Sequence, residues 1–232
     1  MKGKIVVESF QANQHPRECM TFIQEHTRVL QVFDLANITS AKPDWAFSPS
    51  CVIVTVRDQE TNSMIAGGRI QIADGKMRLP IEDAVSEFDS KIHDVIHRDM
   101  IDGGTSEICG LWSTRKAARM GLGSIFIMRS LLAISYQLEI KSIYTLCAPS
   151  TVKFVKKLGG ELVTEIGDNG TFYYPKLDLI ATAIKMPDNN NMSFTDPVEK
   201  SIIEQLRLNL SGEVVEEHRG NQVEVKYLLN IH

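Results

Sequence analysis

Thr105-Ser106-Glu107-Ile108-Cys109-Gly110-Leu111-Trp112-Ser113, running on into Thr114-Arg115-Lys116-Ala117-Ala118-Arg119-Met120-Gly121-Leu122-Gly123-Ser124, is the stretch on which the fold turns. Ser106 to Trp112 reads as a strand, and a basic loop follows it. Gly121 to Ile140 is strongly apolar and too long for a strand, so it reads as a helix. The first turn of a helix carries unpaired N–H groups and the positive end of the helix dipole. Glycines there let an anion approach the backbone, with Arg115, Lys116 and Arg119 close by. Two glycines opening a helix also serve packing alone, so the local pattern leaves both readings open. Glu107 lies in an otherwise apolar strand. Burial would raise its pKa toward the range useful to a base, and the alternatives are a partly exposed edge carboxylate or an ion pair with Arg69.

Working outward, Ser142 to Ala148 reads as a strand and Thr151 to Leu158 as a helix stopped by Gly159-Gly160. Glu161 to Ile166 and Leu179 to Met186 are two more strands. Upstream, Lys4 to Phe10 is a strand. A helix from about His15 to Asp34 follows, with Cys19, Phe22, Ile23, His26, Leu30 and Phe33 at helical spacing. Residues 35–49, with Asn, Ser, Pro and Asp, read as a loop or a broken helix. Cys51 to Val56 and Met64 to Ile72 form an antiparallel hairpin. Lys76 to Ile81 is predicted extended, and 82–98 a single helix with Val85, Phe88, Ile92 and Ile96 on one side. Beyond Met186 the composition changes. Pro187 to Asn191 reads as a linker, Asp196-Pro197 caps a helix, and runs 213–218 and 222–230 flank Arg219-Gly220-Asn221. The expected division is a domain over 1–187 and a helix–hairpin extension over 188–232. The apolar faces of that extension serve either a homodimer or cover for the sheet. The order of elements is mixed α/β with one crossover unit in the second half.

The chain has 232 residues, 43% of them hydrophobic and 23% charged, which suits a real core and excludes a disordered chain, a collagen or a coiled coil. Lys plus Arg number 25 against 29 Asp plus Glu, so the formal charge of −4 argues against broad capture of nucleic acid. No run approaches the ~18 apolar residues of a membrane span, and Met1 to Glu8 lacks the apolar core of a secretory leader. Cys19, Cys51, Cys109 and Cys147 are far apart and read as reduced, mostly buried thiols of a cytoplasmic protein. His93 and His97 share one helix face at the spacing of a zinc pair, but no third ligand is evident and no metal is expected. Trp45, Trp112, Tyr173 and Tyr174 read as core and rim residues.

Arg119-Met120-Gly121-Leu122-Gly123-Ser124 resembles the pyrophosphate loop of the GCN5-related N-acetyltransferases (GNAT), Gln/Arg-x-x-Gly-x-Gly/Ala. Lys153-Phe154-Val155-Lys156-Lys157-Leu158-Gly159-Gly160 resembles that family's later helix, and the element order is similar over roughly residues 4–186. Met64 to Gln71, Lys76 to Ile81 and Ser106 to Cys109 are similar to the strands of acyl-homoserine-lactone synthases, with Arg69 and Glu107 on matching positions. The resemblance implies a mixed, mostly antiparallel sheet with helices on both faces. It implies an acyltransferase that takes an acyl group from acetyl-CoA or another acyl-CoA, or from acyl-carrier protein, and gives it to a small amine. It implies Glu107 as the base that takes the amine proton, with Arg69 beside it, and an oxyanion held by backbone N–H groups at Leu111, Trp112 and Ser113. The donor's diphosphate would lie on Arg119, Met120, Gly121, Leu122, Gly123 and Ser124. Val155 stands where the family often has a tyrosine acid, which leaves Ser150, Thr151 and Cys147 as nearby donors. Lys153, Lys156 and Lys157 would face the 3′-phosphate of CoA. The alternatives are a sensor or interaction module of the same fold that binds acyl-CoA without turnover, and an acyl-homoserine-lactone synthase-like enzyme that uses acyl-carrier protein.

Overall fold

A computed structural model describes residues 3–35, 38–218 and 220–231; Met1, Lys2, Ala36, Asn37, Arg219 and His232 lie outside them. The strands are β1 (Gly3–Gln11), β2 (Cys51–Asp58), β3 (Met64–Ile72), β4 (Thr105–Ser113), β5 (Ser142–Cys147), β6 (Glu161–Leu162), β7 (Thr171–Tyr173), β8 (Ile180–Met186), β9 (Ser211–His218) and β10 (Asn221–Leu228). The helices are α1 (Pro16–Gln31), α2 (Pro80–Val85), α3 (Lys91–Ile101), α4 (Arg115–Arg119), α5 (Ser124–Ser135), α6 (Pro149–Lys157) and α7 (Pro197–Leu208). One sheet runs β6-β8-β5-β4-β3-β2-β1-β10-β9, with β7 also on β8. It is antiparallel except at β4–β5 and β1–β10. The mixed, mostly antiparallel α/β architecture expected from the sequence is therefore present.

Strand alternation sets the two faces. Ile70 and Ile108 point toward α5, into a core shared with Phe126, Ile127, Leu131 and Ile134. Arg69, Glu107 and Cys109 point to the other face, where α1, α2 and α3 lie. Residues 188–232 join the first core through Ile203, Val223, Val225 and Tyr227. The apolar face of α7 thus covers α5, and Glu199 takes Arg129 in two hydrogen bonds of 2.7 and 2.8 Å. The stretch read as a linker is fastened down instead. Asn189, 2% exposed, accepts from Ser135 Oγ and donates to the Ile140 carbonyl.

Four local expectations are corrected. Lys76 to Ile81 is not a strand, because Pro80 opens α2, with its fixed φ suited to a first helical residue. The single helix over 82–98 is two: α2 stops at Val85, the Asp89 carboxylate accepts the N–H of both Lys91 and Gly167 in the turn that follows, and α3 starts at Lys91 behind its N-cap Ser90. The basic loop after β4 is the short helix α4, capped by Thr114 Oγ1 on the Ala117 N–H. The Glu161–Ile166 strand shortens to Glu161–Leu162, because Val163 to Gly170 turn on themselves to feed β7.

Gly110 has φ of +58° and sits in a bulge, where two β4 residues oppose one on β3. A Cβ there would also lie 3.1 Å from Arg69 Nη1. Gly110→Ala is expected to destabilise the chain by about 1–3 kcal/mol, to be read from urea unfolding curves.

Candidate active site

The parallel ladder of β4 and β5 ends at Glu107 opposite Tyr144, and beyond it the strands separate. Ile108 to Ser113 keep β3 on one side and have no strand on the other, so that edge of β4 opens onto a fork. The carboxyl ends of both strands lead into helices, α4 and α5 from β4 and α6 from β5. A crevice at the carboxyl ends of parallel strands is the usual ligand position in such sheets.

Glu107 marks the closed end of the fork. It is 2% exposed, and its Oε2 accepts the Ile81 N–H from the first turn of α2 at 2.7 Å. Burial pushes its pKa up to about 8, against the pull of that hydrogen bond and of the Arg69 charge. Arg69 is 1% exposed. Its Nη1 donates to the Ser40 carbonyl at 2.7 Å, its guanidinium lies 4.6 Å from the Trp45 ring centre, and Nε has no partner among the described residues. No carboxylate forms an ion pair with it there. His26 beside it is driven down to about 4 by burial and by the Arg69 charge, so that imidazole is neutral at physiological pH.

A strap over residues 38–47, made of two short 3₁₀ turns, closes this face. The Thr39 N–H donates to Tyr174 Oη, and Thr39 Oγ1 donates to the Pro80 carbonyl. Lys42 pairs with Asp83 of α2. Sequence reading missed this strap: it carries no periodicity, and its partners lie up to 135 residues away.

On the donor side the structure separates the residues proposed from the sequence. The N–H groups of Met120, Gly121 and Leu122 are spent on carbonyls of α4, which corrects the expectation that the whole loop is open. Among the described residues nothing accepts the N–H groups of Gly123 and Ser124. A Cβ built on Gly123 meets nothing within 4 Å, so the backbone there is open to a close approach. Arg115 and Arg119 are exposed and form no ion pair among the described residues, whereas Lys116 is held by Asp58 at 2.5 Å. Leu122 is core, Trp112 packs edge-on to Phe22 on the α1 face, and the Trp112 backbone is paired with Gly67 of β3, so neither residue faces the fork. Leu111 and Ser113 are half-buried along its edge, and Ser150 is exposed in the first turn of α6. Lys153, Lys156 and Lys157 are exposed along α6.

The thiols are not poised as nucleophiles. Burial pushes Cys147 and Cys51 up to about 11 and Cys19 to about 12, so each stays protonated. His93 pairs with Glu82 at 2.8 Å, and no group of three or more His, Cys, Asp or Glu among the described residues is arranged to hold a metal ion. No described helix is long and apolar enough to cross a membrane.

No family model and no curated sequence matches the chain. Solved structures do. FeeM, an N-acyl amino acid synthase from uncultured soil microbes, superposes with a TM-score of 0.53 at 16% identity, covering 84% of this chain and 97% of that one. The CoA-dependent acyl-homoserine lactone synthase BjaI, with SAM and isopentyl-CoA, gives 0.54 at 9% identity, covering 86% and 90%. An acyl-CoA N-acyltransferase from Pseudomonas aeruginosa gives 0.51 at 15%, covering 78% and 98%. The chain has the fold of the GCN5-related N-acyltransferases.

Proposed function

We propose that this protein is an N-acyltransferase that moves an acyl group from acyl-CoA to the amine of a small acceptor bearing a carboxylate. The fork of β4 and β5, with a buried carboxyl of raised pKa at its closed end, is the observation that carries the reading. Glu107 takes a proton from the incoming ammonium, and a base whose pKa lies near working pH is suited to that step. The freed nitrogen attacks the thioester carbonyl. The oxyanion is assigned to backbone N–H groups of the open β4 edge at Leu111 and Ser113, since the Trp112 N–H shares the β3-facing edge with that of Thr114. The C–S bond breaks, Ser150 is assigned to hydrogen-bond the departing sulfur, and the thiolate takes the second proton from nitrogen. The donor's diphosphate is assigned to Gly123 and Ser124, with Arg115 and Arg119 beside them and the α6 lysines toward the 3′-phosphate.

Arg69 supports the choice of acceptor. A buried guanidinium is costly without an anion, and its neighbours here are a carbonyl, an indole, a neutral imidazole and a largely protonated carboxyl. An acceptor carboxylate would supply the missing charge in exchange for the Ser40 carbonyl. The likeness to an N-acyl amino acid synthase supports the same class.

The test measures CoA release from short- and long-chain acyl-CoA, and from acyl-carrier protein, with amino acids and with the matching decarboxylated amines. Release that needs a carboxylate-bearing amine supports the reading. Absence of release together with no thermal shift by CoA overturns it. Arg69→Met keeps the volume and removes a buried charge, so the fold is expected to hold. KM for the amino acid should rise about tenfold or more, with little change for the decarboxylated amine.

A further inference from the structure

Glu107 is sealed from solvent, yet each turnover loads it with a proton that it must release. R–NH3+ plus acyl-CoA gives amide, CoA thiol and one proton, and that proton starts on Glu107. The first turn of α2 bears two carboxyls. Glu107 takes the Ile81 N–H, and Glu82, itself buried, takes the Leu79 N–H at 2.8 Å. The other Glu82 oxygen lies 2.8 Å from His93 Nδ1, and the His93 side chain is 32% exposed. The two carboxyls thus accept N–H groups two residues apart at the start of α2, without a direct hydrogen bond between them.

We propose that Glu82 and His93 form the proton outlet of Glu107, a water between the two carboxyls carrying its proton to Glu82 and the partly exposed imidazole passing it on to solvent. This rests on Glu107 being the base. The groups facing Glu107 are Arg69 from β3, Glu82 and Asp83 from α2, Cys109 on its own strand and Cys147 from β5. Arg69 cannot carry a proton away, because a guanidinium does not deprotonate in a protein. The two thiols are buried and held protonated. Asp83 is tied to the Lys42 ammonium, which has no lone pair to take a proton, so Glu82 is the carboxyl whose partner, an imidazole, can accept one and reach solvent. Around His93 the charged groups are Glu82 across from it, Asp94 and His97 along its own helix, and Asp89 just before that helix, committed to the N–H groups of Lys91 and Gly167. The order is balanced: Glu82 accepts from Glu107 through that water, His93 accepts from Glu82, and the ring hands one proton to solvent.

The outlet is tested without substrate. At about pH 6 the neutral Glu107 carboxyl gives an infrared carbonyl band, identified by its loss in Glu107→Gln. Rapid mixing into D2O then times its exchange. His93→Gln, which keeps an amide for Glu82 but cannot titrate, is expected to slow exchange at least about tenfold, and added imidazole should restore the rate in His93→Ala. Unchanged exchange in both variants overturns the outlet, as does slowing that imidazole leaves untouched. Full activity in Glu107→Gln overturns the base assignment instead, a result the exchange rates cannot mimic.

Discussion

Glu107→Gln is expected to lower kcat roughly 100-fold or more while making the folded chain more stable at alkaline pH. Both effects come from the same burial. The Glu107 pKa is raised from 4.5 to about 8 in the folded chain, so between those values the folded state keeps a proton that the unfolded state has lost. Stability therefore falls as pH climbs from about 4.5 to about 8, and the full cost of the buried charge, on the order of 4 kcal/mol, is present above that range. Gln keeps an oxygen for the Ile81 N–H and carries no charge at any pH. Its melting temperature should match wild type near pH 5 and exceed it by roughly 5 °C or more at pH 9. In the wild type, kcat/KM should rise with pH and level off above about 8, because the base works only when ionised. Equal melting curves for the two proteins at pH 9, or a rate that is flat from pH 6 to 9, would sink the assignment.

Gly123→Asp is expected to abolish donor binding and leave the fold intact. Gly123 is the N-cap of α5 with φ of −86° and ψ of −164°, an extended conformation open to any residue. Aspartate is among the preferred N-caps, so the helix gains a few tenths of a kcal/mol. The same carboxylate would occupy the space that Gly123 leaves open and would repel the diphosphate. KM for acyl-CoA should rise about 100-fold, equivalent to ~2.7 kcal/mol, and the thermal shift by CoA should disappear. Gly123→Ala tests size without charge and should give a smaller rise. Normal donor KM in the aspartate variant, with an unchanged melting temperature, would mean that the diphosphate binds elsewhere.

Much of the frame was legible in the sequence. The β2–β3 hairpin, α1 and the run from β4 through α5 to β5 and α6 follow from period-two and period-3.6 apolar patterns with caps and glycines at their ends. Boundaries failed where a turn interrupted the periodicity, as where residues 86–90 divide one expected helix into two. Glu107 was visible as a lone acid in an apolar strand. Its hydrogen bond to Ile81 was not, since α2 was expected to be a strand up to that residue. His93 was visible only as half of a metal pair, because its partner Glu82 belongs to a different helix from the one the spacing suggested.

The sequence by itself determined the strand–helix succession, the apolar faces and the glycines that open α5, because those depend on neighbours within a turn or two of chain. Only the tertiary structure decided that β4 and β5 part after Glu107, that Ser40 and Trp45 cover Arg69, and that the amides of Met120 to Leu122 are already spent while Gly123 stays open. These depend on sheet register and on the path of a strap across it, where groups up to 135 residues apart meet. No local pattern records such meetings, since the free energy that selects them comes from burial and hydrogen bonding between distant segments.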